Sequence, residues 1–442
     1  MIFSSIEFII FFISFIFLIK IFKNHQKQII IISSLFFYAY WNPIFIFLII
    51  YLCTVTYLLI KNKINIKFSI LIILLPLFYF KYSFFIFSFI PLDFLNYFSY
   101  KGELPLAISF ITFTAVAILI DIKNRTFNDN LTFINFSEFI LYFPQLIAGP
   151  ILRAKELIPQ LKNKIFFKNE NIKYGIFLFS IGFVKKIFFA DNIALLIDPF
   201  FDNPEIFGSK DLVKGFLLFP LQIYFDFSGY VDMALGISAL LGIVLPINFK
   251  KPYLTYSLTD FWRSWHITLS SWFRDYVYIP LGGSKVSKMR LYSNLVFTMT
   301  LAGLWHGASI NFILWGFLNG IFLALEKKFN IRNNKKIFQI ILNCFIIFNL
   351  WLIFRITEIK SLINYFYTIY FNLNEIFILE NSLIFVVTCF AIYCQKFENL
   401  NTIKKFSSKL SFAVLMPFFL ILLITGFAIS TGQSDKFIYF DF

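Results

Sequence analysis

The sequence predicts an all-helical protein that passes through a membrane many times. Hydrophobic residues make up 59% of the 442-residue chain and charged residues only 14%. With a mean hydropathy of +0.78, too little polar surface remains to cover a soluble domain. The apolar residues are gathered into runs of bilayer-crossing length. Between the runs lie short lysine-rich connectors, which account for the formal charge of +15. Because those lysines are spread over loops rather than along one basic face, the partner they imply is anionic membrane lipid and not nucleic acid.

Taken in order, residues 2–22 form a first span with no basic leader or small-residue cleavage site, so it reads as retained. Residues 29–60 are apolar but broken at Trp41-Asn42-Pro43, with basic clusters at 20–27 and 61–67 on either side. If both clusters are cytoplasmic, this segment enters and leaves on one side, although each half is short for a full crossing. Residues 68–90 are interrupted at Pro76, and 104–122 run apolar until Asp121, Lys123 and Arg125 mark the exit into water. Residues 139–151 end in Gly149-Pro150, the pattern of a helix that stops within the protein, and 155–173 form a basic, cytoplasmic loop.

The run 174–196 carries Lys185 and Lys186, which must snorkel or face a cavity. The run 212–245 exceeds one crossing and holds Gln222, Asp226 and Asp232, which either join helices by hydrogen bonds or line a reaction cavity. Segments 338–354, 383–393 and 411–429 bring the expected count to roughly ten to twelve membrane helices. No internal repeat is evident, whereas secondary transporters commonly carry matched broken helices in two halves. Cys53, Cys344, Cys389 and Cys394 lie in or beside apolar segments without metal-ligand spacing and read as inert core residues.

Residues 257–320 concentrate the chemistry. Two of the three histidines, His266 and His306, lie here and each follows a tryptophan, while His25 sits in a basic loop. Ser257 with Asp260 is a capping pattern and Gly282-Gly283 a stop, so one amphipathic helix is expected over about 258–278, at the interface or lining a water-accessible cavity. His306 falls inside an apolar run, 295–325, long enough to cross a bilayer, where an ionisable ring is costly and marks a functional candidate. Burial disfavours the charged form of an imidazole, which suits it to accept a proton. No glycine-rich phosphate loop, metal-ligand cluster or GxSxG elbow occurs, which argues against a serine hydrolase or a metal-dependent mechanism.

The blocks FPQLIAGPILR (143–153), IYFDFSGYVDMALGISALLG (223–242), DFWRSWHITLSSWFRDYVYIPLGG (260–283), LAGLWHGASINFILWGFLNG (301–320) and the terminal FIYFDF (437–442) resemble the membrane-bound O-acyltransferase family. The likeness is to its bacterial branch, which serves alginate and peptidoglycan O-acetylation and teichoic acid D-alanylation. It covers about 105–325 in order. The resemblance implies a single membrane domain, with N-terminal helices over 1–104, a catalytic core over 105–325, C-terminal helices over 326–429 and an extracytoplasmic tail over 430–442. Its helices would ring a central funnel with His306 at the waist.

The same resemblance implies acetyl transfer from acetyl-CoA across a bacterial inner membrane towards an extracytoplasmic polymer. Peptidoglycan is favoured over an alginate-like polysaccharide, and a periplasmic SGNH-type O-acetyltransferase would be the partner. D-alanyl transfer from a carrier protein, or transport without acyl chemistry, are the alternatives. His306 would be the general base. His266 would orient substrate, polarise the thioester carbonyl or only bond a neighbouring helix, and Asn311 would be an oxyanion donor. Arg153, Arg263 and Arg274 would hold donor phosphates or anchor helices at the headgroups. Tyr439, in the terminal aromatic block, would relay the acyl group, since a phenol is more easily deprotonated than a sugar hydroxyl. No metal is implied.

Overall fold

The computed structural model describes residues 1–90, 98–127, 131–147, 149–329, 336–372 and 379–430. The tail that carries Tyr439 lies outside them. Every regular element among the described residues is helical, as backbone groups in hydrocarbon require internal partners. Five helices are long and apolar enough to cross a membrane: 43–61, 66–87, 310–329, 336–355 and 412–429, with a sixth if the bent pair 381–397 and 400–409 counts as one span. Ile6–Ile21 is shorter, while Ser209–Leu240, at 32 residues, exceeds the length of one crossing.

The chain divides into two compact units interleaved in sequence. The described residues of the first lie within 1–183, 230–246 and 405–430. Its interior is aromatic: the Phe143 ring stands edge-on to Phe11 and Phe15, with centroids 5.4 and 5.2 Å away, and Phe3 stacks on Tyr230 at 4.5 Å. Gly175 and Gly236 let two helix backbones touch here, because a Cβ on either would lie 2.7 Å from the other's carbonyl oxygen.

The second unit comprises 184–229 and 247–404. At its centre the helices Lys288–His306 and Ile310–Phe329 form a tight hairpin. A Cβ on Gly303 would meet the Phe312 carbonyl oxygen at 2.1 Å, and one on Gly316 the Met299 carbonyl oxygen at 2.3 Å. Small residues at such a face let helices gain dispersion contacts that apolar side chains cannot supply against lipid.

Several expectations are corrected. The helix expected over 258–278 is three pieces, Leu258–Trp262, Ile267–Phe273 and a π-helical turn Arg274–Tyr278. His306 does not lie mid-span but is the last residue of its helix. The basic stretch 155–173 is not wholly loop, since it contains most of the helix Ala154–Leu161. Lys186, expected to snorkel or face a cavity, is instead fully buried. It lies on a π-helical turn, Val184–Ala190, buried between Asp191 at 2.6 Å and Asp226 at 2.8 Å. Lys185 pairs with Glu398 at 3.1 Å, and Tyr224 donates a hydrogen bond to the same carboxylate. Cys389 is exposed rather than part of the core.

Candidate active site

The site begins with a break in a helix. Ser257 caps Leu258–Trp262 by accepting from the Asp260 N–H at 3.0 Å. Glu326 accepts from the Leu258 and Thr259 N–H groups at 2.8 and 3.2 Å, placing an anion on the same positive helix end. The helix then stops, and His266 adopts a left-handed conformation at φ 42°, which is costly for a residue with a β-carbon and persists only where neighbours enforce it. Asn248 does so. Its carbonyl oxygen accepts from Ile267 N–H at 3.0 Å, and its side-chain oxygen accepts from the N–H and hydroxyl of Thr268 at 3.0 and 2.7 Å.

The kink buries the His266 ring edge-on to Phe227, with centroids 4.7 Å apart, and 6.1 Å from Trp305. Burial pushes the His266 imidazole down to about 3, so it is neutral at physiological pH.

The turn of the hairpin places the second imidazole. Gly307 follows His306 in extended conformation and packs directly against Phe312, where a Cβ would lie 2.2 Å from the ring. The His306 ring is 4% exposed and boxed edge-on by Trp305, Trp315 and Phe354 at 4.9, 5.1 and 5.2 Å. Trp305 therefore contacts both histidines.

His306 lines a cavity of about 440 Å³, within the size range of small-molecule sites. Trp262, Trp315, Thr298 and Ala302 line it beside the imidazole, and Arg263, Arg274 and Lys327 bring three cations to the same space. The two arginines remain 75% and 60% exposed while touching Asp260 and Asp275, so their charge is available to an incoming anion. The arrangement can hold a polyanionic group at its cationic side and present an apolar-boxed proton acceptor to what that group carries.

The structure thus brings together His306, Arg263 and Arg274. His266 does not line the cavity, although Ile267 beside it does, and its ring lies 6.1 Å from Trp305. Asn311 is engaged elsewhere: its amide donates to the Ile353 carbonyl at 3.3 Å and its oxygen accepts from Ser309. Arg153 belongs to the first unit, where it is buried and its backbone N–H donates to Glu156 at 3.1 Å. Sequence reasoning does not find Trp315 and Lys327 as lining residues. Their signal is helical spacing, since Trp315, Leu323 and Lys327 stand eight and four residues apart on one face.

A buried imidazole and three cations thus share one cavity. The chain belongs to the membrane-bound O-acyltransferase family, whose model matches residues 123–363. It is 35% identical over 379 residues to the peptidoglycan O-acetyltransferase of Helicobacter pylori, covering 76% of this chain and 72% of that protein. To the protein of Pseudomonas syringae named "Probable alginate O-acetylase AlgI" it is 41% identical over 257 residues, 57% of this chain and 49% of the other. To the teichoic acid D-alanyltransferase of Bacillus subtilis it is 31% identical over 243 residues, 52% and 60% of the two chains. The chain spans about half the length of the alginate relatives it matches.

Proposed function

We propose that this protein moves an acetyl group from a cytoplasmic thioester, acetyl-CoA, across the bacterial inner membrane for O-acetylation of an extracytoplasmic polymer. The observation that carries the reading is His306, boxed by aromatic rings at a helix end and facing a cavity that also holds Arg263, Arg274 and Lys327. The imidazole takes the proton of an acceptor hydroxyl while its oxygen attacks the thioester carbonyl. The tetrahedral intermediate then collapses, the carbon–sulfur bond breaks, and the departing thiolate recovers the proton. The arginines hold the donor's phosphates by charge.

Peptidoglycan is favoured as the polymer, since the likeness to a peptidoglycan acetyltransferase runs over most of both chains, while the alginate likeness covers about half of each. Tyr439 serves as the first acceptor, and a periplasmic SGNH-type O-acetyltransferase takes the acetyl from it. D-alanyl transfer is the second reading, supported by the D-alanyltransferase likeness.

The test is isotopic. Purified protein in liposomes is given acetyl-CoA with a labelled acetyl group, and label on Tyr439 is followed by mass spectrometry of the tail peptide. Acetyl-tyrosine in the wild type, lost in Tyr439→Phe, is the expected result. Polymer acetylation in cells at the wild-type level with Tyr439→Phe refutes the relay. Passage of intact cargo without label transfer refutes acyl chemistry altogether.

A further inference from the structure

The first unit contains a cavity that His306, Arg263 and Arg274 do not line. It measures about 630 Å³ and is lined by polar and apolar groups alike, where four chain segments meet: 23–30, 132–138, 160–171 and 241–243. Five lysines line it, Lys23, Lys27, Lys162, Lys164 and Lys168, against one acidic group, Glu138. Five positive charges less one negative leave a net charge of +4 when Glu138 is ionised.

The walls are fixed from within the unit. Gln26 makes a reciprocal pair with the backbone of Ile165, its amide donating at 3.4 Å and its oxygen accepting at 3.0 Å. Gln160 does the same with Val244 at 2.9 and 2.8 Å. Lys27 reaches across to donate to Asn135 at 2.6 Å.

Two separate segments, 23–30 and 160–171, bring these five lysines to the rim of one half-open space. That placement costs Coulomb energy and is relieved when an anion of high charge density enters. A helix end adds to the field: Gln26–Ala39 starts at the cavity with no acidic residue in its first turn and no side-chain cap. Asn24, Asn135 and Asn171 offer amide donors beside the lysines. Glu138 is buried, and burial lifts its carboxyl to about 7 despite Lys27 at 4.0 Å, so near neutral pH it holds a proton much of the time and opposes an anion weakly.

We propose that this cavity binds a phosphate group, presented either by the headgroup of an anionic phospholipid or by a soluble phosphoanion. Lysine ammonium groups are compact point charges suited to phosphate oxygens, and the volume admits a headgroup or a nucleotide-sized bisphosphate. The proposal does not depend on the acyl-transfer reading, because it is measured by binding and not by turnover.

The experiment uses the full chain in nanodiscs, with two probes. Adenosine 3′,5′-bisphosphate is titrated by calorimetry into nanodiscs of phosphatidylcholine. Separately, retained phosphatidylglycerol is counted by native mass spectrometry after reconstitution in phosphatidylglycerol–phosphatidylcholine mixtures. The wild type is compared with the triple variant Lys162→Gln, Lys164→Gln, Lys168→Gln, whose side chains are exposed at the cavity, and with a control triple Lys61→Gln, Lys63→Gln, Lys67→Gln, also exposed but outside it.

The cavity triple is expected to weaken one probe by on the order of a hundredfold at low salt, taking about 1 kcal/mol for each of the three lost charges, while the control triple leaves it unchanged. Loss of the nucleotide assigns a soluble ligand, and loss of phosphatidylglycerol assigns a lipid. Absence of saturable binding in both arms overturns the site, as does an equal loss in both triples, which would reduce the effect to general surface charge.

Discussion

His306 and His266 differ in what surrounds them rather than in chemistry. Trp305 lies against both rings, but only His306 faces the cavity. Replacing His306 by Gln keeps a polar group of similar size and removes the base, so the labelled-acetyl rate is expected to fall by about a hundred- to ten-thousandfold with unchanged thermal stability. Near-normal turnover by well-folded His306→Gln protein would remove the imidazole from the chemistry. His266→Ala should cost less, since His266 does not line the cavity that His306 faces. Arg263→Glu and Arg274→Glu are expected to raise the KM for acetyl-CoA severalfold, most strongly at low salt, with kcat little changed. If kcat falls and KM stays constant, these arginines hold the helix end and not the donor.

At the scale of elements, the hairpin Lys288–His306 and Ile310–Phe329 positions the base, and its glycines set how closely the helices approach. A methyl group at Gly303 would enter the Phe312 carbonyl at 2.1 Å, and backbone on both sides leaves no flexible side chain to yield. Gly303→Ala is therefore expected to destabilise the protein by about 1–3 kcal/mol and to displace His306, seen as a lower melting temperature in detergent together with lost activity. An unchanged melting temperature would show that the helices can slide apart at no cost. Apolar runs, caps and Pro breaks make most helices legible in the sequence: the break at Trp41-Asn42-Pro43 appears where expected, between Gln26–Ala39 and Pro43–Phe45. The break at His266 is not legible, because it is imposed by Asn248, eighteen residues earlier, and not by any local Gly or Pro. Lys186 is illegible for the same reason: its partner Asp226 lies forty residues away, and only packing shows that the two charges neutralise each other.

For the whole molecule, composition announces a membrane protein, but the response of its stability to pH depends on a few charges held out of water. Glu138 is the clearest case outside the crossing helices, with its carboxyl lifted from 4.5 to about 7, by burial first and against the pull of Lys27. A folded-state value above the unfolded one means that the folded protein binds more protons between pH 4.5 and 7. Its contribution is therefore fully present below pH 4.5 and is lost as the pH rises through 7. The full loss is about 3 kcal/mol at most from a shift of this size. Glu138→Gln presents an uncharged side chain of the same shape at every pH. Melting temperatures in detergent at pH 5 and pH 8 should thus show a larger drop for the wild type than for Glu138→Gln, the two proteins being closest at pH 5, where both side chains are neutral. Other titrating groups move both proteins alike and cancel in the difference. Parallel melting curves across that interval would mean that Glu138 is ionised throughout, held by Lys27 more strongly than burial opposes it.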